Sequence, residues 1–323
     1  MPGRNILLYF PWSRADEEGA PFGDLNDRFG ALFELRRILW PKFEHLADIQ
    51  RFNQGIGGFL DHVLLQNYSL FREDVRIRSG NAVRLIERCA SDGKSTLLDG
   101  DALDGVDILI IVSFDSQRTG QHPNESELTS IRKFLDDPGH TLFVCPHHDI
   151  GNVDGVSINE VLKKQEVEFH HHGDVGIPGQ QRFGGFGKSL LRDLGVSVSN
   201  QFGLRPAKLP DGSAAPIKID TRADRFNLLQ GVQTFHLHPH LPHLEMLGDS
   251  AQKMDVLVEQ LIDLDAPPHP FVKQGRKTFD ALLQSKPNVF GGRLLVCDAT
   301  LWSSTNGGLG SLRQFWTNTT RLA

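Results

Sequence analysis

Four side chains capable of chemistry fall within five residues: a thiol at Cys145, imidazoles at His147 and His148, and a carboxylate at Asp149. Further on, His236 and His238 stand two residues apart, as do His243 and Glu245. Nine of the 14 histidines gather in three clusters, 147–148, 170–172 and 236–243. These types support two chemistries. Neutral imidazole is the commonest metal ligand, and three protein ligands with one open position suit a hydrolytic zinc site. His236 and His238, on one face of a strand, would direct two imidazoles at one ion. His147, His148 or Asp149 would add a third ligand from another strand end. A divalent cation, zinc by this donor set, would activate water near neutral pH, with Asp149 or Glu245 transferring protons. The other chemistry is nucleophilic, with Cys145 as the attacking thiol. Pro146 weakens it by removing an N–H from a potential oxyanion hole, and buried strand-end thiols are ordinarily inert. Ligand binding or assembly without catalysis stays open, although titratable groups at strand ends favour chemistry.

The run Thr141–Cys145 is too short for a helix and reads as a buried parallel strand delivering its polar residues from the carboxyl end. In open α/β sheets the ligand crevice lies outside those ends. Arg4–Phe10, Asp107–Val112 (ending at Ser113 and Asp115) and Gly292–Cys297 (ending at Asp298) read as companion strands, with a further short strand over Ser95–Leu98. Residues 14–78 read as a helical insertion after strand one. Its parts are a loop over 14–23, a helix that Asp24 caps and Pro41 stops, and an aromatic stretch over 42–74 that packs on the sheet or forms a lid or dimer surface.

Asn81–Ala90 reads as a short helix. Asn124 and Glu127 form a capping-box pair ahead of Leu128, Ile131 and Leu135. Ser157 and Glu160 cap a short helix leading to Val167-Glu168-Phe169 and His170–His172, a run that serves equally as a solvated loop. His140 and His269, beside Gly and Pro, read as loop surface. The Gly184-Gly185-Phe186-Gly187 stretch lacks phosphate-loop spacing and reads as a turn before a helix. Residues 203–230 read as a loop or hairpin excursion and Val232–His238 as an alternating strand. Met254, Leu257, Val258, Leu261 and Ile262 fit a helix capped by Asp249, and a short helix closes the chain over Gly310–Trp316.

With 323 residues, 39% hydrophobic and 23% charged, the chain has the composition of a globular protein with a sizeable core. A net charge of −6 without a basic run argues against a nucleic-acid partner. Three cysteines without CxxC spacing argue against a disulfide framework and for a reducing compartment. The apolar run before Pro11 is too short for a signal sequence, and no window reaches membrane-spanning length. The expectation is a soluble, cytoplasmic protein with a small-molecule substrate or ligand and no membrane partner; a homo-oligomer remains open.

Four stretches carry a family resemblance. Leu103–Ile110 is similar to an "l-x-x-y-D-l-L-v" strand. Glu127-Leu128-x-x-Ile131-x-x-Phe134, followed by Gly139-x-x-Leu142-Phe143-Val144, is similar to a helix–strand motif. Asn159-x-x-Leu162 resembles "N-x-l-l", and Gly292–Val296 with Asp298 and Asn306 resembles a closing "G-r-v-v-v-x-g-D…N". Their order, over roughly residues 80 to 316 and strand one, resembles the class I glutamine amidotransferase-like superfamily. The likeness is to its non-amidotransferase branches, which include trehalose-utilisation-type domains and domains of gliding-motility and intraflagellar-transport proteins. The resemblance implies a flavodoxin-like, doubly wound α/β fold with a mostly parallel sheet, as a single domain over 1–323. It also places Cys145 at the position of an amidotransferase nucleophile and His243-Leu244-Glu245 at that of its partner pair. Phe143 and His147 depart from that pattern, standing where the two elbow glycines belong. One fold hosts many reactions, so the reaction must be argued from the site.

Overall fold

The computed structural model describes residues 3–29, 55–151, 155–172, 183–304 and 309–322. The strands of its large sheet include β1 (Ile6–Ser13), β2 (Arg84–Cys89), β3 (Ile108–Ser113) and β4 (Thr141–Pro146). Five short strands follow: β5 (Ser197–Ser199), β6 (Gly203–Leu204), β7 (Lys218–Ile219), β8 (Leu241–Pro242) and β9 (Glu245–Leu247). The last three are β10 (Met254–Leu261), β11 (Thr278–Ser285) and β12 (Arg293–Cys297). Eight of these form one sheet in the order β2-β1-β3-β4-β12-β11-β10-β7. The first five run parallel to one another. With β12 as the fifth strand, they reproduce the 2-1-3-4-5 order of flavodoxin-like sheets. The other three join antiparallel.

Every residue of β1, β3, β4 and β12 is buried, as expected of parallel strands covered on both faces. Alternation sorts their side chains into two layers. Leu8, Ile110, Phe143, Cys145, Leu295 and Cys297 meet Tyr68, Phe71, Trp302 and Phe315 on one face. Leu7, Leu109, Leu142, Val144, Leu294 and Val296 meet Leu128, Ile131, Phe186 and Leu190 on the other. This is the doubly wound α/β arrangement, and it aims the carboxyl ends of β4 and β12 at one rim.

Of the insertion, Arg14–Glu18, Phe22–Phe29, Gly55–Phe59 and Ser69–Ser79 are helical. The stretch expected to be loop over 14–23 thus opens with a helical turn, and the Asp24 helix begins at Phe22. The rest of the expected helix, to Pro41, lies outside the described residues. Tyr68 packs on Phe10 at 5.4 Å and Phe71 on Trp302 at 5.1 Å, so these aromatics face the sheet.

Four expectations give way. Residues 84–89, read as helix, form edge strand β2: Arg88 reaches Glu127 at 2.9 Å, and Glu87 accepts bonds from Trp12 and Arg14. Residues 254–261, also read as helix, form β10. Its register slips between Val256 and Val258 and again before Glu259, and bulges of this kind blur the two-residue alternation into a helical spacing. Residues 232–238 do not form a strand, and only an isolated bridge, Cys89 to Ser95, stands where a strand over 95–98 was expected. The helix after Ser157 runs 15 residues, Ile158–His172, and takes in the triple histidine. The 203–230 excursion is a hairpin-like one, bridged at Lys208 and Ala214 and adding β7 to the sheet. Among the described residues no helix is long and apolar enough to cross a membrane.

Candidate functional site

β4 and β12 are parallel neighbours, with Val144 opposite Val296. Their ends therefore release His147-His148 and Asp298 side by side, although about 150 residues separate them in sequence. All three side chains are buried. One ligand-capable atom from each lies within 4.8 Å of the others. His147 Nδ1 and Asp298 Oδ2 face each other at 3.7 Å, and neither makes a hydrogen bond to any described residue.

Each partner is held from behind. Asp298 Oδ1 accepts the amide of Thr300 at 2.9 Å and the Thr300 hydroxyl, leaving Oδ2 to face His147. Asn200 clamps the histidine turn: its Nδ2 donates to the carbonyls of Pro146 and His147, and its Oδ1 accepts the amide of Asp149. Phe114 and Phe183 stand edge-on to the His147 ring, at 4.7 and 3.9 Å. Burial, with His238, Lys188 and Arg28 adding positive charge, holds the His147 pKa well below the ordinary imidazole value. His147 is thus neutral, the form that ligates metals. Burial pushes the Asp298 carboxyl up, because an uncompensated buried charge costs several kcal/mol.

The histidine clusters at 147–148 and 236–240 meet as a string. Ring centroids are separated by 4.0 Å from His147 to His148, 5.2 Å to His240, 4.2 Å to His238 and 6.2 Å to His236. His236 and His238, expected as ligands, lie at the far end and outside the triad. The strand that was to align them is absent, and His236 Nδ1 instead accepts the amide of His238. Burial, then the charge of His238, lowers the His236 pKa to about 3.

Asp149 forms an ion pair with Lys188 from the helix Phe186–Asp193. Burial lowers the Lys188 pKa to about 8. Asp115, fully buried, accepts the Ser113 hydroxyl at 2.6 Å, and burial raises its pKa to about 6. The glycine stretch is a packed turn: a Cβ on Gly184 would collide with the Asp115 carboxylate, and Gly187 abuts Pro146.

The thiol arrangement does not assemble. Cys145 is fully buried with its Sγ 3.6 Å from Cys297 Sγ, and burial followed by Cys297 pushes its pKa well up. His243 accepts the amide of Asp280 at 3.1 Å and lies 3.3 Å from Arg276, while Glu245 sits on β9 opposite Ser199. Neither contacts Cys145 among the described residues. In the triple histidine, His170 pairs with Glu166 on the helix surface, whereas His171 is buried with Nδ1 near the Pro267 carbonyl and Nε2 accepting the amide of Arg205. His269 is buried too, not loop surface: it caps the helix Pro270–Lys273 and meets Glu168 at 2.8 Å.

No family model and no curated protein matches the chain. Among solved structures, the chain is similar to "mmIFT52 N-terminal domain", with 11% identity, TM-score 0.38, 76% of this chain and 88% of that one covered. It is also similar to "Agd3 a novel carbohydrate deacetylase", with 9% identity, TM-score 0.38 and 99% of this chain covered. The chain spans about a third (33%) of the length of that second structure.

Sequence reasoning places His147 and His148 at the rim but treats Asp298 only as the end of a strand. The signal for it is positional: it directly follows a buried parallel strand, as His147 does. Asn200 carries no such signal, being one polar residue in a loop.

Proposed function

We propose that the chain is a metal-assisted hydrolase acting on a small polar substrate, with a divalent cation, zinc by the donor set, held by His147, His148 and Asp298. The observation that carries this reading is the buried gap between His147 Nδ1 and Asp298 Oδ2, two polar atoms 3.7 Å apart that make no hydrogen bond among the described residues. Two imidazole nitrogens and one carboxylate oxygen match the protein share of a catalytic zinc site. Such an ion polarises a substrate carbonyl and acidifies water at its open position. The chain's own groups divide the remaining work. Burial keeps His147 in its ligating form. Thr300 and Asn200 fix the aim of Asp298 and of the histidine turn. Lys188, with a pKa of about 8, stands near enough to neutrality to hold or pass a proton at the rim, where Asp149 pairs with it.

Elemental analysis of untagged protein, purified without chelator and then reconstituted with zinc and dialysed, tests the reading. About one zinc per chain is expected. Protein that retains no stoichiometric metal after reconstitution would refute it.

A further inference from the structure

Two of the three cysteines touch. Cys145 and Cys297 are fully buried in one core layer, with their Sγ atoms 3.6 Å apart. The third, Cys89, is half-buried on β2 at the edge of the sheet. β4 and β12 run parallel with Val144 opposite Val296, so the next step along each strand sets the two thiols side by side. Neighbouring strands stand about 4.8 Å apart, inside the Cα separation of about 4.4–6.8 Å that a disulfide spans.

Position gives this contact its consequence. Cys145 lies two residues before His147, and Cys297 immediately precedes Asp298. Joining the sulfurs would shorten their separation from 3.6 Å to about 2 Å. Side-chain rotation takes up part of that change. The strand ends take up the rest, because the Cβ atoms of a disulfide lie closer, at about 3.8 Å, than strand spacing sets them. A close-packed interior transmits such a displacement, and the next polar side chains in line are the facing pair His147 and Asp298.

We propose that Cys145 and Cys297 are an oxidation site, where a peroxide joins them in a reversible disulfide that resets the strand ends bearing His147 and Asp298. One sulfur attacks a peroxide oxygen; the O–O bond breaks, giving a sulfenic acid and a water. The second sulfur then displaces the sulfenic oxygen, which forms the S–S bond and releases another water. Both thiol protons leave in those waters, and the electron pair given up by sulfur reduces the peroxide. Burial makes the first step wait on opening of the strand ends. The second step needs no search, since its partner is already in contact. The product is uncharged, as an apolar layer requires. The bridge does not depend on a metal at the triad, whereas its effect on zinc rests on the hydrolase reading.

The full chain carrying Cys89→Ser, which keeps only the two buried thiols, is treated with hydrogen peroxide, alkylated in denaturant and mapped by mass spectrometry. One peptide pair linked through residues 145 and 297 is expected, with an unchanged circular-dichroism spectrum and both thiols recovered by dithiothreitol. Two free thiols after prolonged treatment, or sulfinic acid in place of the bridge, overturns the site. So does a bridge that appears only in chain the peroxide has unfolded. Calorimetric titration then compares zinc binding before and after oxidation. The bridged form should bind at least about tenfold more weakly, the low end of what disturbed supporting groups cost a metal site. Equal affinities overturn the coupling. Zinc bound by neither form refutes the hydrolase reading and the coupling with it, while the peptide map still decides the bridge.

Discussion

Two buried histidine–carboxylate pairs in this molecule share their chemistry and differ in how they are closed. Glu168 and His269 touch at 2.8 Å, and the other nitrogen of His269 accepts the amide of Phe271. The neighbouring ring, His171 at 5.1 Å, has both nitrogens engaged. Asp298 and His147 stop at 3.7 Å, with the facing atoms unbonded. The reason lies in the supports. His269 caps the helix Pro270–Lys273 and packs directly against Glu168 on the helix Ile158–His172. Asp298 and His147 follow neighbouring strands of one sheet and are held from behind by Thr300 and Asn200, with their facing atoms 3.7 Å apart. Each pair sets a buried imidazole against a buried carboxylate; the facing atoms are bonded between Glu168 and His269 and, among the described residues, not between Asp298 and His147.

The largest expected effect comes from Asp298→Asn, which keeps the Oδ1 acceptor for Thr300 but loses the charge. Zinc affinity, measured by calorimetric titration, should drop by more than about 100-fold, since losses of outer-shell partners alone reach that range. An unchanged affinity would erase the contrast between the pairs. Glu168→Ala should cost about 3 kcal/mol of stability in denaturant unfolding, as removal of one partner from a buried pair does. Zinc content should be unaffected, and a loss of metal would show that the closed pair is also functional.

The smallest effect concerns a third buried histidine with a carboxylate neighbour. Burial, then Arg276, lowers the His243 pKa from 6.5 to about 4. The folded state therefore favours the neutral ring, so its contribution is complete above pH 6.5 and is lost as pH falls toward 4. Asp280, 3.9 Å away and raised by burial to about 6, runs oppositely, contributing at low pH and losing as pH rises through that value. His243→Asn keeps an acceptor for the Asp280 amide and isolates the histidine. Over that window its melting temperature should decline less than the parent's, by on the order of 2 kcal/mol in stability. Parallel declines would mean that His243 is not held neutral by folding.

Where side chains alternate or run apolar without interruption, the architecture was legible. β3, β4 and β12 announce themselves this way, and the capping box at Asn124 and Glu127 is present as expected, with both bonds made. β2 and β10 were misread because edge position and bulges disrupt the two-residue period, and β11 went unread among polar neighbours. In the site, His147 and His148 were legible because strand and polar knot are contiguous. Asp298 joins them only through the adjacency of β4 and β12, a pairing that no local pattern encodes. The strand expected to align His236 and His238 does not form, so their spacing defines no strand face.

Asn200 holds two carbonyls and one amide of the turn bearing His147 and His148, yet it belongs to a separate loop and contributes no ligand atom. A remote tether thus joins the sheet in holding the turn that carries the two rings. For the proposed metal site, a substitution at position 200 would therefore alter how the two rings are set while removing none of the three proposed donors.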